Sequence, residues 1–154
     1  MTLSLLNPLH LLSVVVWVGG MFFAYMALRP AAASTLEPPF RLRLWRATFK
    51  NFFPWVWAAI ITLLVTGYWM IFGFLGGMAG APLYVHTMMG LGLLMMAIFM
   101  HVYFAAYKRL IRAVEAEDWP EGGKNLNQIR QLVGINTLLG LLTIVVAAAG
   151  RYFV

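Results

Sequence analysis

Four apolar stretches, each long enough to cross a bilayer, decide most of what this chain can be. They run over about residues 8–28, 52–74, 82–107 and 132–150 of the 154, and a bilayer core takes about 20 mostly apolar residues per helix. Backbone in lipid must satisfy its own N–H and C=O groups, so all four are predicted helices. With 62% hydrophobic and 10% charged residues, the chain lies far from soluble domains, in which about a quarter of residues are charged. The expected fold class is all-α: an integral membrane four-helix up-down bundle forming one domain over residues 1–154. Asn7-Pro8 marks the expected start of the first helix, with Asn as N-cap and Pro at the first helical position. That stretch lacks a basic lead-in and outruns a signal-peptide core, so it is expected to be a mature span.

Charge orients the bundle. The connection over 29–50 carries Arg29, Arg41, Arg43, Arg46 and Lys50. The connection over 108–131 carries Lys108, Arg109, Arg112, Lys124 and Arg130. The Gly73–Ala81 connection is uncharged and glycine-rich, and Arg151 is the one basic residue on its side. The positive-inside rule then predicts a multi-pass protein of a bacterial-type inner (plasma) membrane, with both termini periplasmic. The net charge of +6 belongs to an anionic leaflet and the lipid bilayer as partner, not to nucleic acid. Residues 38–50 read as an interfacial lead-in to the second helix. Residues 115–131 read as a soluble turn with a short helix entering the fourth span. Cysteine is absent, which excludes disulfides, thiolate metal sites, Cys nucleophiles and covalent haem attachment.

Within each span most of the small and polar residues fall on one stripe at about 100° per residue. The stripes are His10, Val14, Trp17, Met21 and Ala24; Trp55, Ala59, Thr62, Thr66, Trp69 and Gly73; His86, Gly90, Leu93, Ala97 and Met100; and Asn136, Gly140, Thr143, Ala147 and Gly150. Such stripes are expected inside the bundle, where small residues allow close approach and polar ones find partners. All three histidines lie in spans, and an ionisable residue in lipid is a functional-site candidate. His10 and His86 fall at similar depth in the outer half. His101 lies about 22 Å further along its helix, near Tyr103 and Tyr107.

Paired neutral imidazoles point to a metal, with haem iron first. Haem b asks for one or two axial ligands and an apolar slot. His10 and His86 are the expected ligands, and Trp17, Gly20, Gly90, Gly140 and Asn136 the expected surroundings. The alternative is copper, since cuprous ion accepts imidazole and thioether ligands. Met88 and Met89 beside His86, and Met100 beside His101, supply those. The spans hold no acidic residue, which disfavours a closed zinc site. Hydrolase and phosphate-loop motifs are missing, so any enzyme activity is expected to be cofactor-borne redox chemistry. Quinone or porphyrin is expected near His101, Tyr107 and Arg29. Gly73-x-x-x-Gly77 resembles a helix-association motif and leaves a homodimer open.

Residues 10–23 (HLLSVVVWVGGMFF), 84–110 (YVHTMMGLGLLMMAIFMHVYFAAYKRL) and 130–142 (RQLVGINTLLGLL) resemble, in order and spacing, the first, third and last helices of the copper-resistance D (CopD) domain family. They also resemble the related HemJ-type protoporphyrinogen IX oxidases. The resemblance implies a four-helix membrane domain. From HemJ-type members it also implies a b-haem oxidoreductase with His10 as the first-helix histidine. HemJ-type members carry Lys two residues after the histidine that aligns with His86, where this chain has Met88. Their last-helix Asn precedes Glu, where Asn136 precedes Thr137. A free-standing CopD-like domain therefore fits better than the oxidase. The sequence-level expectation is a b-type haem protein with a redox or electron-transfer role, with a copper-binding transporter as alternative and a purely structural subunit third.

Overall fold

The structure, a computed structural model, describes residues 2–153. It consists of four long helices: α1 (Leu3–Thr35), α2 (Pro38–Phe74), α3 (Leu83–Glu115) and α4 (Trp119–Gly150). The described residues contain no strand. All four are long and apolar enough to cross a membrane, and they form the expected all-α up-down bundle. α1 packs along α2 and α3 along α4, while α4 also touches α1 and α2.

Three expectations about boundaries need correction. First, α1 starts at Leu3, not at Pro8, which sits inside the helix. Pro8 removes one N–H bond, but the extra turn carries Leu6, which is fully buried. Second, residues 38–50 are not a separate interfacial segment but the opening turns of α2. Third, residues 119–131 are the opening turns of α4, leaving only residues 116–118 as the turn. The helices therefore project beyond the apolar spans at the basic end.

Local chemistry explains these turns. Asp118 caps α4 by accepting the Glu121 backbone N–H at 3.3 Å, with Pro120 in the first turn. At the end of α1, the Arg41 guanidinium donates to the carbonyls of Leu36 (3.0 Å) and Ala33 (3.4 Å). At the opposite end, Gly76 and Gly77 take φ of +75° and +83°, and the Gly77 N–H returns to the Ile71 carbonyl at 2.9 Å. Gly73 and Gly77 thus do not share a helix face, and the association motif read from their spacing dissolves.

The core is uneven along the bundle axis. Towards the basic end, Phe49, Phe53 and Trp57 of α2 interlock with Phe99, Tyr103 and Tyr107 of α3. Ring centroids there stand 4.9 Å apart for Phe53–Tyr107 and 5.3 Å for Phe53–Phe99 and Trp57–Phe99, distances at which edge-to-face pairs attract. α1 and α3 each contain a π-helical segment here, Ala24–Leu28 and Val102–Tyr107. Each such segment shifts the helix face that follows it. In the other half, the inward residues of α3 are only half-buried: Val85, Met88, Met89 and Gly92. A Cβ built on Gly92 meets nothing within 4 Å.

Candidate metal centre

His10 is held by α2. Its Nδ1 lies 2.8 Å from Thr66 Oγ1, and Thr66 Oγ1 in turn donates to the Thr62 carbonyl at 2.6 Å. A hydroxyl has one hydrogen, and the carbonyl can only accept. The Thr66 proton therefore points at Thr62, and Thr66 must accept from His10 Nδ1–H. The ring therefore keeps its hydrogen on Nδ1, and in its neutral form the lone pair lies on Nε2, the atom left to bind a metal. Gly67 makes room for the ring: a Cβ there would stand 3.4 Å from His10 Cε1. Thr66 is buried at 2% exposure and His10 is half-buried. Thr66 was on the expected α2 stripe but not among the expected site residues. It was legible as a hydroxyl at the depth of His10.

The depth of each group follows from Gly140 of α4. A Cβ there would meet Val18 Cγ2 at 2.8 Å and Met95 Cε at 3.1 Å, so the Val18 side chain and the tip of the Met95 side chain meet at about one level. His10 lies eight residues beyond Val18, about 12 Å at 1.5 Å per residue, and Met88 lies seven beyond Met95, about 10 Å. His86 lies nine beyond, about 13 Å. All three stand in the less filled half of the bundle.

Depth agrees but direction does not. Met95 is 3% exposed and marks the inward line of α3. Nine residues at 100° bring His86 about 180° round the helix from that line, whereas seven bring Met88 within about 20° of it. Met89 repeats the same step from Met96, which is 8% exposed. The expected α3 stripe is the outer side of the helix: Gly90, Leu93, Ala97 and Met100 are all exposed. Among the described residues no hydrogen bond joins His86 to His10. His86 is half-buried, as His10 is, whereas His101 is exposed, at the junction with the π segment. The physical reason is that lipid-facing and core-facing positions of this helix are equally apolar. Hydropathy carries no facing signal there: Gly90 and Met100 are exposed, while Met95, Met96 and Phe99 are buried.

The expected haem surroundings do not fit a porphyrin. The Phe52 ring occupies the place where a Cβ on Gly20 would stand, and Val18 and Met95 close over Gly140. Trp17 is buried at 2% exposure and packs edge-on to Phe99 at 6.4 Å. Asn136, also buried, donates from Nδ2 to the Met95 carbonyl at 3.2 Å, while its Oδ1 has no partner. The void that Asn136 lines with Trp17, Met21 and Phe99 is about 30 Å³, far below what a macrocycle needs. Nor do His101, Tyr107 and Arg29 gather. Tyr107 sits in the aromatic core, and Arg29 lines a chamber at the basic end. No cluster of three or more His, Cys, Asp or Glu able to hold a metal exists among the described residues. The half-buried donors in this half include the imidazoles of His10 and His86 and the thioethers of Met88 and Met89, a soft set.

Residues 46–149 match the family described as Copper resistance protein D. The chain belongs to the CopD family. The matched residues take in most of α2, α3 and nearly all of α4, while α1 with His10 precedes them. No curated protein matches the chain, and no solved structure matches it.

Proposed function

We propose that this CopD-family protein is a membrane copper-handling protein. It accepts Cu(I) as cargo in the half of the bundle remote from its basic end. His10 Nε2 is the imidazole donor, and Met88 and Met89 are the thioether donors. The observation that supports this is the hydrogen-bond relay from His10 through Thr66 to Thr62, which engages Nδ1 and leaves Nε2 for a ligand. Imidazole and thioether ligands select cuprous ion over harder cations. The family's name ties its members to copper resistance, which further supports copper as the ion.

The test is Cu(I) retention by purified protein under reducing conditions against a chromophoric Cu(I) chelator. Wild-type protein should hold about one ion. His10→Ala, and the volume-conserving pair Met88→Leu with Met89→Leu, should each weaken retention by about tenfold or more. His86→Ala should leave it unchanged. Undiminished retention in the His10 and Met variants would overturn the proposal. So would a Soret band in freshly purified protein that shifts on reduction, which would restore haem.

A further inference from the structure

A second site stands at the other end of the molecule. The turns of α1, α2 and α4 that project beyond the apolar spans enclose a chamber of about 300 Å³. Its lining combines three guanidinium groups, Arg29, Arg41 and Arg130, with a half-apolar wall that includes Trp45, Trp119 and Leu126.

The charges in this chamber are uncompensated. The chain has five acidic residues, and none lines it. Glu115 and Glu117 are taken by Arg46 (2.9 Å) and Arg43 (3.6 Å). Asp118 caps α4, Glu121 accepts from Asn125 Nδ2 at 3.2 Å, and Glu37 is exposed. Arg29 stacks on Tyr25 at 4.4 Å and donates Nε to the Tyr25 carbonyl. Arg41 uses one nitrogen on the α1 carbonyls, but its Nε is buried without an acceptor. Arg130 makes no hydrogen bond or ion pair among the described residues. Three forked cations around one apolar-walled chamber, one of them with a buried unsatisfied N–H, form an acceptor for a phosphate-like anion.

We infer that this chamber binds the phosphate of an anionic phospholipid from the leaflet at the basic end. The position favours a lipid over a soluble anion. The chamber lies at the basic end, where the helices run past their apolar spans, with the half-buried Trp119 in its wall, and basic pockets between membrane helices recognise anionic head groups. The volume suits a head group and glycerol but not acyl chains, which can lie along the exposed helix faces. The site shares no residue with the proposed copper ligands, so either proposal can fail without the other.

The test is native mass spectrometry of the full chain in detergent, titrated with phosphatidylglycerol, phosphatidylcholine or glycerol 3-phosphate. Phosphatidylglycerol should be retained in preference to phosphatidylcholine. R130Q removes a side chain without internal partners, so it leaves the fold intact, and it should cut that preference about fivefold. The triple variant R29Q/R41Q/R130Q should abolish it. R109Q alters an arginine of the same end that donates to Gln128 outside the chamber, and it should change nothing. Equal retention of both lipids, loss of preference in R109Q, or an unaltered preference in R130Q would each overturn the proposal. Tail-free glycerol phosphate binding as well as the lipid would overturn it too, by making the site one for a soluble anion.

Discussion

At the scale of single residues, the decisive feature is a proton. Thr66 Oγ1 has the His10 ring on one side, the Thr62 and Leu63 carbonyls on the other, and one hydrogen to give. Its donation to Thr62 obliges His10 to donate from Nδ1 and leaves Nε2 for a ligand. Hydrogen bonds of this kind orient metal-binding imidazoles and raise their basicity, and losing one costs 10–100-fold in affinity. Thr66→Val keeps the shape and removes the acceptor, so Cu(I) retention should fall about tenfold. Thr66→Ser keeps the acceptor and should retain wild-type binding. The chelator competition reads both, and equal values for the two variants would detach Thr66 from the site. The histidine itself was visible in the sequence as an ionisable group in lipid. Its state was not, because that depends on a hydroxyl 56 positions away.

At the scale of elements, glycines show how closely the helices meet. A Cβ on Gly140 would press on Val18 and Met95, and Val18 is a stiff, 5%-exposed side chain that cannot yield by rotating. Gly140→Ala should therefore destabilise the bundle by about 1–3 kcal/mol through overpacking. Gly19 is exposed with nothing near its absent Cβ. Gly19→Ala should change stability by no more than about 0.5 kcal/mol. Thermal unfolding in detergent, followed by loss of helical ellipticity, separates the two, and similar melting temperatures would contradict the packing account. Stripe inspection served α4 well, since Asn136 and Gly140 are buried and Tyr84 lies against Gly150. It served α2 only in part: Ala59 and Thr66 face inward, but Trp55 and Trp69 are 64% and 46% exposed. On α3 it pointed to the wrong side, because an all-apolar helix offers small residues as its only cue and those can face lipid equally well.

At the scale of the whole molecule, ten of the eleven basic residues gather at one end, and Arg151 alone stands at the other. The positive-inside rule predicts the basic end in the cytoplasm. The chain has no cysteine, so single introduced thiols report sidedness cleanly. Ala79→Cys and Ala116→Cys lie in exposed turns at opposite ends. A membrane-impermeant maleimide added to intact cells should label the first and spare the second. The reverse pattern would invert the orientation and move the proposed lipid site to the outer leaflet.

Taken by itself, the sequence determined the class: four spans, their alternation, the charged end and the exclusion of thiol chemistry. These rest on sums over many residues, such as length, hydropathy and net charge, to which each position contributes independently. The tertiary structure alone decided which side of α3 faces inward, which histidine has a partner, and which arginines are left without acids. Those are properties of pairs distant in the chain, set by how helices rotate against one another. In a segment apolar all round, no local pattern encodes that rotation.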